Sequence, residues 1–395
     1  MIRVLDLYSG MGGLSLGFAL AINNVTIQGF DINKYAVETY NLNLNRFNAR
    51  ASVVDVLKWQ ASGDFDAIIG GSPCQPFSLA NTTKKGESHP YFPTFSRFFD
   101  VVLQLKPSVF LLENVRGLLT KKFVGYFQKQ IQRVVNDYNV EYQVLNAVNY
   151  GVPQKRERLF VIGIRKDLGI KPSFPPPTHS EKELITIDGK RTFKWVTLGE
   201  AINDIMNITP EVKPLTPKQI EKIRSKRLSN PTSWGVMEFP DGLDKPSRTI
   251  ASDTIQGTKR ETIVIPMKVT EHIMTEKGGW TENSDWGSRV MLLNNPAYTI
   301  TGAHRSGQLI DVVFRRLTVR ETLRIQSFPD WWHFPDNVST SEKFRLVGEA
   351  VPPILAFKLA THIAKMMNWE TKEPRKEDWD LPYFERAFAD FLHSL

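Results

Sequence analysis

The chain has 395 residues, 41% hydrophobic and 11% aromatic, enough apolar mass for one large folded unit or two modest ones and too much for a mainly disordered chain. No run approaches the roughly 20 uninterrupted apolar residues of a membrane span, and one cysteine is too few for a disulfide framework, an iron–sulfur cluster or a zinc knuckle. Lys and Arg outnumber Asp and Glu by 50 to 42, a net charge of +8 that suits a polyanionic partner without demanding one. Met1 to Asp6 reaches an acidic residue without the apolar core of a signal peptide, so a cytoplasmic protein with no membrane partner is expected.

Strand-like runs fall at Ile2 to Leu7, Val25 to Phe30, Ala67 to Ile69, Val109 to Leu112 and Leu159 to Ile164, with helical patterning between them. This alternation predicts an α/β fold, a doubly wound and mostly parallel sheet with helices on both faces. Lys171-Pro172-Ser173-Phe174-Pro175-Pro176-Pro177 is a stiff break, and residues 178 to 315 are rich in Thr, Pro, Gly and scattered strands, so a second, irregular β-rich domain is expected there. Lys245 to Ile250 and Asn295 to Ile300 read as one strand-entry phrase used twice, by duplication or by coincidence of two Pro-led strands. Thr318 and Glu321 have capping-box spacing, which predicts a helix near 318–327 with Arg320 and Arg324 on its exposed face.

Asp6-Leu7-Tyr8-Ser9-Gly10-Met11-Gly12-Gly13 follows the first strand and leads into a helix, and Asp31 ends the second strand. Glycines let the main chain approach a ligand closely, and a carboxylate at that strand tip accepts both hydroxyl protons of a ribose. Neither the G-x-G-x-x-G nor the G-x-x-x-x-G-K-[ST] spacing is present, so an adenosine without phosphates, as in S-adenosylmethionine, fits better than a dinucleotide; a tight turn without a ligand is the plain alternative. Cys74, in Gly71-Ser72-Pro73-Cys74-Gln75-Pro76, follows the third apolar run and faces the same sheet edge, with no helix or strand face to bury it. Glu113 ends the next run, where partial burial raises a carboxyl pKa and lets it hold a proton near neutrality; a helix cap or a surface acid would look the same. Arg156 and Arg158 lie on one side of an extended segment, two guanidinium forks for a base carbonyl or a phosphate, or a solvated charge run.

In this order these residues resemble the DNA cytosine-C5 methyltransferases of bacterial restriction–modification type. Asp6 to Gly13, Asp31, Asp55, Pro73-Cys74-Gln75, Glu113-Asn114-Val115, Gln154 to Arg158, Arg316 to Gln326 and Gly348-Glu349-Ala350-Val351-Pro352 carry the likeness over most of the chain. The resemblance implies a Rossmann-like S-adenosylmethionine-dependent domain over 1–170 and 348–370, closed by a returning helix near 353–366. It places a target-recognition domain over 171–347, with the helix near 318–327 ordering it, and a C-terminal extension over 371–395. It implies Cys74, Glu113, Arg156 and Arg158 as catalytic residues. Cofactor contacts fall on Asp6, Tyr8, Ser9, Gly10, Met11, Gly12, Gly13, Asp31, Ile32, Asp55, Val56, Pro73 and Ala350. DNA contacts fall on Gln75, Ser78, Lys84, Lys85 and Arg316. The implied partner is double-stranded DNA, bound by a monomer that needs no metal, with a companion restriction endonuclease acting on the same site or with none. Two positions depart from the family pattern: Glu349 stands where Asn is usual, and Phe92-Pro93-Thr94-Phe95 matches the adenine-facing stretch poorly. A carboxylate at 349 is expected to turn away from the cofactor's own carboxylate or to pair with a cation.

Cytosine C5 is too weak a nucleophile to displace a methyl group from a sulfonium unless a nucleophile first adds at C6. A thiolate attacks well and also leaves well, which a serine alkoxide does poorly near neutral pH. A basic loop over 81–88 and a run of cations from Lys213 to Arg227 suit phosphate contact, while Trp331 and Trp332 read as packing residues. A tRNA-methylating branch of the superfamily is disfavoured by the missing Cys-Phe-Thr tripeptide, and a non-catalytic relative by the intact Cys74, Glu113, Arg156 and Arg158.

Overall fold

The computed structural model describes residues 1–77, 86–185, 191–205, 219, 244–247, 249, 264–266 and 314–392. Ser78, Lys84, Lys85, the cations from Lys213 to Lys218 and from Lys222 to Arg227, and the phrase at 295–300 lie outside the described residues, and Arg316 is described by its main chain alone.

Strands β1 (Ile2–Leu7), β2 (Val25–Asp31), β3 (Ala49–Val53), β4 (Ala67–Gly71), β5 (Val109–Asn114), β6 (Tyr138–Asn146) and β7 (Glu157–Arg165) form one sheet in the order β3-β2-β1-β4-β5-β7-β6. β1 to β5 run parallel, while β7 is antiparallel to both β5 and β6. The pattern that drives this is plain in β5. Val109 and Leu111 join the core on one face, Phe110 and Leu112 the core on the other, because successive side chains of a strand point to opposite faces. The winding reverses between β1 and β4, so a crevice opens beyond the carboxyl ends of those strands, where ligands bind in open α/β sheets.

On one face lie α1 (Gly13–Ala21) and α2 (Lys34–Leu44), on the other α3 (Phe92–Leu105) and α4 (Val124–Val134). Every residue of α1 is buried, and the expected returning helix is present as Pro353–Met366. The two helices meet so closely that a Cβ on Gly17 would lie 2.4 Å from the Cβ of Ala356, so only glycine fits there. The stretch Thr340–Met366 has the length and mean hydropathy of a membrane span, but it is mostly buried and consists of two helices parted at Ala350–Pro352.

Leu323, Ile325, Phe328, Trp332 and Val347, and from the tail Trp379, Phe384 and Phe388, are buried in the same core as α1. The tail enters it through a bridge between Ile22 and Thr371 and a bond from Lys372 N to Ala21 O (2.8 Å). Trp331 packs beneath Arg46, whose guanidinium carbon sits 3.8 Å from the ring centre. The capping box forms, with Thr318 N donating to Glu321 Oε2 at 2.7 Å and Glu321 N to Thr318 Oγ1 at 3.2 Å, ahead of the helix Val319–Ile325. Its basic face is not exposed as expected. Arg324 is buried, paired with Asp330 and Asp204 at 2.5 Å each, and Arg320 donates to Trp332 O at 3.0 Å. Two nearby carboxylates repay the burial of one guanidinium and hold it charged.

Candidate active site

The turn after β1 is shaped by its own main chain. Tyr8, Gly10 and Gly12 have φ of 60°, 53° and 97°, and Gly12 N closes the turn onto Ser9 O at 3.0 Å. At Gly12 a Cβ would meet Leu44 at 2.6 Å and Tyr40 at 2.8 Å, so both conformation and space call for glycine. Asp31, at the tip of β2, accepts from Gly10 N on Oδ2 and from Asn33 N on Oδ1, each at 2.8 Å, and fixes the two strand ends to each other. Burial pushes its carboxyl up, against those two bonds and the charge of Arg345. Ile32 beside it is 59% exposed, an apolar surface open to a flat ring. Asp55, after β3, accepts from Leu57 N at 3.1 Å and lies 3.4 Å from Lys58; Val56 is buried beside it.

Asp6 lies beneath this turn. Its Oδ2 accepts from Ser15 Oγ at 2.6 Å, and Ser15 Oγ accepts from Tyr40 OH at 2.9 Å. Burial raises the Asp6 carboxyl to about 7. Asp6 Oδ1 and Ser9 Oγ are both buried and without a hydrogen-bond partner. Buried polar atoms left so call for a partner that the chain itself does not supply. Tyr8 turns away, its hydroxyl donating to Thr94 O at 3.0 Å.

Across the switch point the loop after β4 carries Pro73 and Cys74. A turn, Phe77 N to Cys74 O at 3.0 Å, sets the thiol, and Phe77 anchors it, buried among Phe92, Phe95 and Phe123 with ring centres 5.3–5.7 Å away. Phe92 and Phe95 therefore brace this loop. From β5, Asn114 Nδ2 donates to both the carbonyl and the hydroxyl of Ser72 at 2.9 Å. Glu113 is buried and paired with Arg158, Oε1 to Nε at 3.0 Å. Burial raises the Glu113 carboxyl, opposed by Arg158 and then Arg156. Burial likewise raises the Cys74 thiol, opposed by Arg158 and reinforced by Glu113 and Glu349. Cys74, Glu113 and Arg158 thus lie near enough for their charges to act on one another.

Arg156 serves differently. It is fully buried and donates from one nitrogen to Gly348 O and Ala350 O, both at 3.0 Å. Gln326 adds bonds to Val347 O (3.0 Å) and Ala350 O (2.7 Å), and Gln154 donates to Gln326 Oε1 at 2.6 Å. The turn at 348–350 is thereby sewn to the start of β7. Glu349 projects from it and pairs with Arg345 at 2.6 Å, the cation expected at that departure. Ser72, Phe77, Gln326 and Arg345 were not singled out as site residues in the sequence; Arg345 alone had a local signal there, sitting four residues before Glu349 and three after Glu342 on one helix.

The family model for C-5 cytosine-specific DNA methylase matches residues 2–365. The chain belongs to that family. It is 32% identical over 365 residues to the type II methyltransferase M.MthTI of Methanothermobacter thermautotrophicus, covering 92% of this chain and 97% of that one. It is 30% identical to the type II methyltransferase M.AplI of Arthrospira platensis, covering 98% and 92% respectively. Among solved structures, the S. pombe Dnmt2 methyltransferase aligns over 93% of this chain and all of its own at a TM-score of 0.62 and 19% identity, a likeness of fold. The protein is a DNA cytosine-5 methyltransferase, and its sheet is the Rossmann-like methyltransferase sheet.

Proposed function

We propose that the protein takes a methyl group from S-adenosylmethionine and places it on C5 of a cytosine flipped out of double-stranded DNA, through a covalent bond between Cys74 and C6. The observation that carries this reading is the meeting of Cys74, Glu113 and Arg158 beside a crevice whose other wall holds the orphaned Asp6 Oδ1 and Ser9 Oγ. The residues on that wall suit the cofactor: Asp31 for the ribose hydroxyls, Ile32 for the face of the adenine, and the main chain of Gly10 to Gly13 with Asp6 and Ser9 for the methionine end. When bound, S-adenosylmethionine supplies an electrophilic methyl group on a sulfonium.

The remaining chemistry belongs to the chain. Cys74, as thiolate, adds to C6, which stacking hides in a duplex, so the base must leave the helix. Electron density moves toward N3, where Glu113, its carboxyl pushed up by burial against the pull of Arg158, donates a hydrogen bond or its proton. Arg158 holds Glu113 and directs its charge to the O2 carbonyl. C5 would then take the methyl group, the sulfonium leaving as the neutral thioether; a water molecule acting as base would remove the C5 proton, and the electron pair of that C–H bond would re-form the C5–C6 double bond as the C6–S bond breaks to return the Cys74 thiolate. Arg156, committed to the 348–350 turn, acts by positioning. Sequence recognition is assigned to the 171–347 insertion, with Gln75, Ser78, Lys84, Lys85 and Arg316 as DNA contacts. The enzyme works as a monomer in a prokaryotic cytoplasm, protecting the site that a companion endonuclease would cut.

A cognate duplex with fluorine at C5 of the target cytosine tests this. Fluorine cannot leave as a cation, so addition and methyl transfer proceed and elimination stops. The protein should remain attached to DNA through denaturing electrophoresis, only with S-adenosylmethionine present and not in Cys74→Ser. Bisulfite sequencing of host DNA supplies the cognate site. Normal methylation of the unmodified duplex with no adduct on the fluorinated one refutes addition at C6.

A further inference from the structure

Glu349 sits between the two walls of the crevice, and both of its carboxylate oxygens are engaged. Oε2 accepts from Arg345 at 2.6 Å, and Oε1 accepts from Gln75 Nε2 at 3.3 Å, the side chain next to Cys74. Arg345 also grips Glu342 with Nε at 2.8 Å and a second nitrogen at 2.5 Å, and Glu342 Oε1 accepts from Asn33 Nδ2 at 2.7 Å. Asn33 N in turn donates to Asp31. An unbroken line of hydrogen bonds therefore runs from the acid at the tip of β2 to the loop that carries the thiol. An exposed helical Arg–Glu pair alone would contribute little. Here the main chain on both sides of Glu349 is pinned, Gly348 O and Ala350 O by the buried Arg156 and Ala350 O again by Gln326. Such bracing holds a side chain in one place.

We propose that Glu349, clamped by Arg345, is a positioning residue for the nucleophile loop: it holds Gln75 and so sets the register of Cys74, and its charge lies on the side of the pocket where the thiolate forms. This rests on the reading of Cys74 as nucleophile. The charged groups facing the thiol are Arg158 and Arg156, which favour its ionisation, and Glu113 and Glu349, which oppose it. Those facing Glu349 are Arg345, Asp31 and Glu342. Removing the Glu349 charge should ease thiolate formation, while removing its contact should misplace the loop.

Cys74 is the only cysteine in the chain, so its alkylation by iodoacetamide against pH can be read in the intact protein without DNA or turnover. Glu349→Gln loses the charge and keeps an acceptor for Gln75. Its alkylation profile should move to lower pH, with kcat for DNA methylation within about threefold of wild type. Glu349→Ala should show the same shift with kcat reduced about tenfold, the scale of a lost hydrogen bond to a charged group. Gln75→Ala should lower kcat likewise with the profile unmoved, and the double variant should be no slower than Glu349→Ala. Wild-type kcat in Glu349→Ala, or single losses that multiply in the double variant, overturn the positioning role. An unmoved profile in Glu349→Gln overturns the electrostatic one. Should Cys74→Ser retain methylation, the covalent reading falls instead, and the alkylation profiles still report the geometry around Glu349.

Discussion

At the β1–β2 rim of the crevice the main chain does the holding: Gly10 N and Asn33 N converge on Asp31, and Tyr8, Gly10 and Gly12 take left-handed conformations to make the turn. At the β4–β7 rim side chains do it: Arg158 pairs with Glu113, Asn114 ties down Ser72, and Phe77 locks into a cage of aromatic rings. The first rim is rigid geometry set by the conformation of the main chain. The second gathers charges whose balance decides protonation. Changes at the first rim should therefore register in binding and stability, and changes at the second in turnover.

The largest expected effect is at the second rim. Cys74→Ser should lower methyl transfer by about 10³-fold or more while leaving cofactor affinity near wild type, since under the proposed mechanism it removes the nucleophile and little else. Tritiated methyl transfer and calorimetry on the same preparation check both halves. Glu113→Gln should slow turnover by about 10²-fold, since an amide can still hydrogen-bond but has no proton to give. It should leave KM for the cofactor unchanged, and a change confined to KM would dissolve the contrast between the rims.

At the first rim, Gly12→Ala forces a side chain into a left-handed position already filled by Leu44 and Tyr40. A loss of about 1–3 kcal/mol in stability is expected, with weaker cofactor binding, read by denaturant melts and calorimetry. The gentlest test is pH. Asp6 titrates at about 7 in the fold against 3.8 as its ordinary value, so the folded state holds an extra proton between those limits. Its contribution makes stability fall as pH rises through that window, and Asp6→Asn should flatten this slope. A cationic ligand favours the carboxylate form, so cofactor affinity should rise with pH up to about 7 and then level off, with proton release on binding below that point. Affinity independent of pH from about 6 to about 8 would mean that Asp6 does not meet the ligand's positive charge.

The central strands were legible because burial on both faces leaves runs such as Val109 to Leu112 in the sequence. The edge strands β3 and β6 were not, since an edge buries less and Tyr138–Asn146 keeps exposed residues along its middle. Cys74 and Glu113 were legible because each follows directly on an apolar run, and topology sends all such ends to one edge. The brace around them was not. Asn33 and Glu342 lie 309 residues apart, and no local pattern announces a contact of that range. Arg324 was misplaced for a related reason: an arginine on a helix reads as solvated until its partners, Asp204 and Asp330, arrive from elsewhere in the chain.

The docking of the tail onto α1 has a consequence for how the protein comes into being. α1 ends at Ala21, but the helix that covers it begins at Pro353, and Trp379, Phe384 and Phe388 follow later still. Until those last residues emerge, a helix buried on every side has only the sheet to lie on. Everything between Ala21 and Pro353 must be made before this helix can be closed in, and a contact of such long range slows folding.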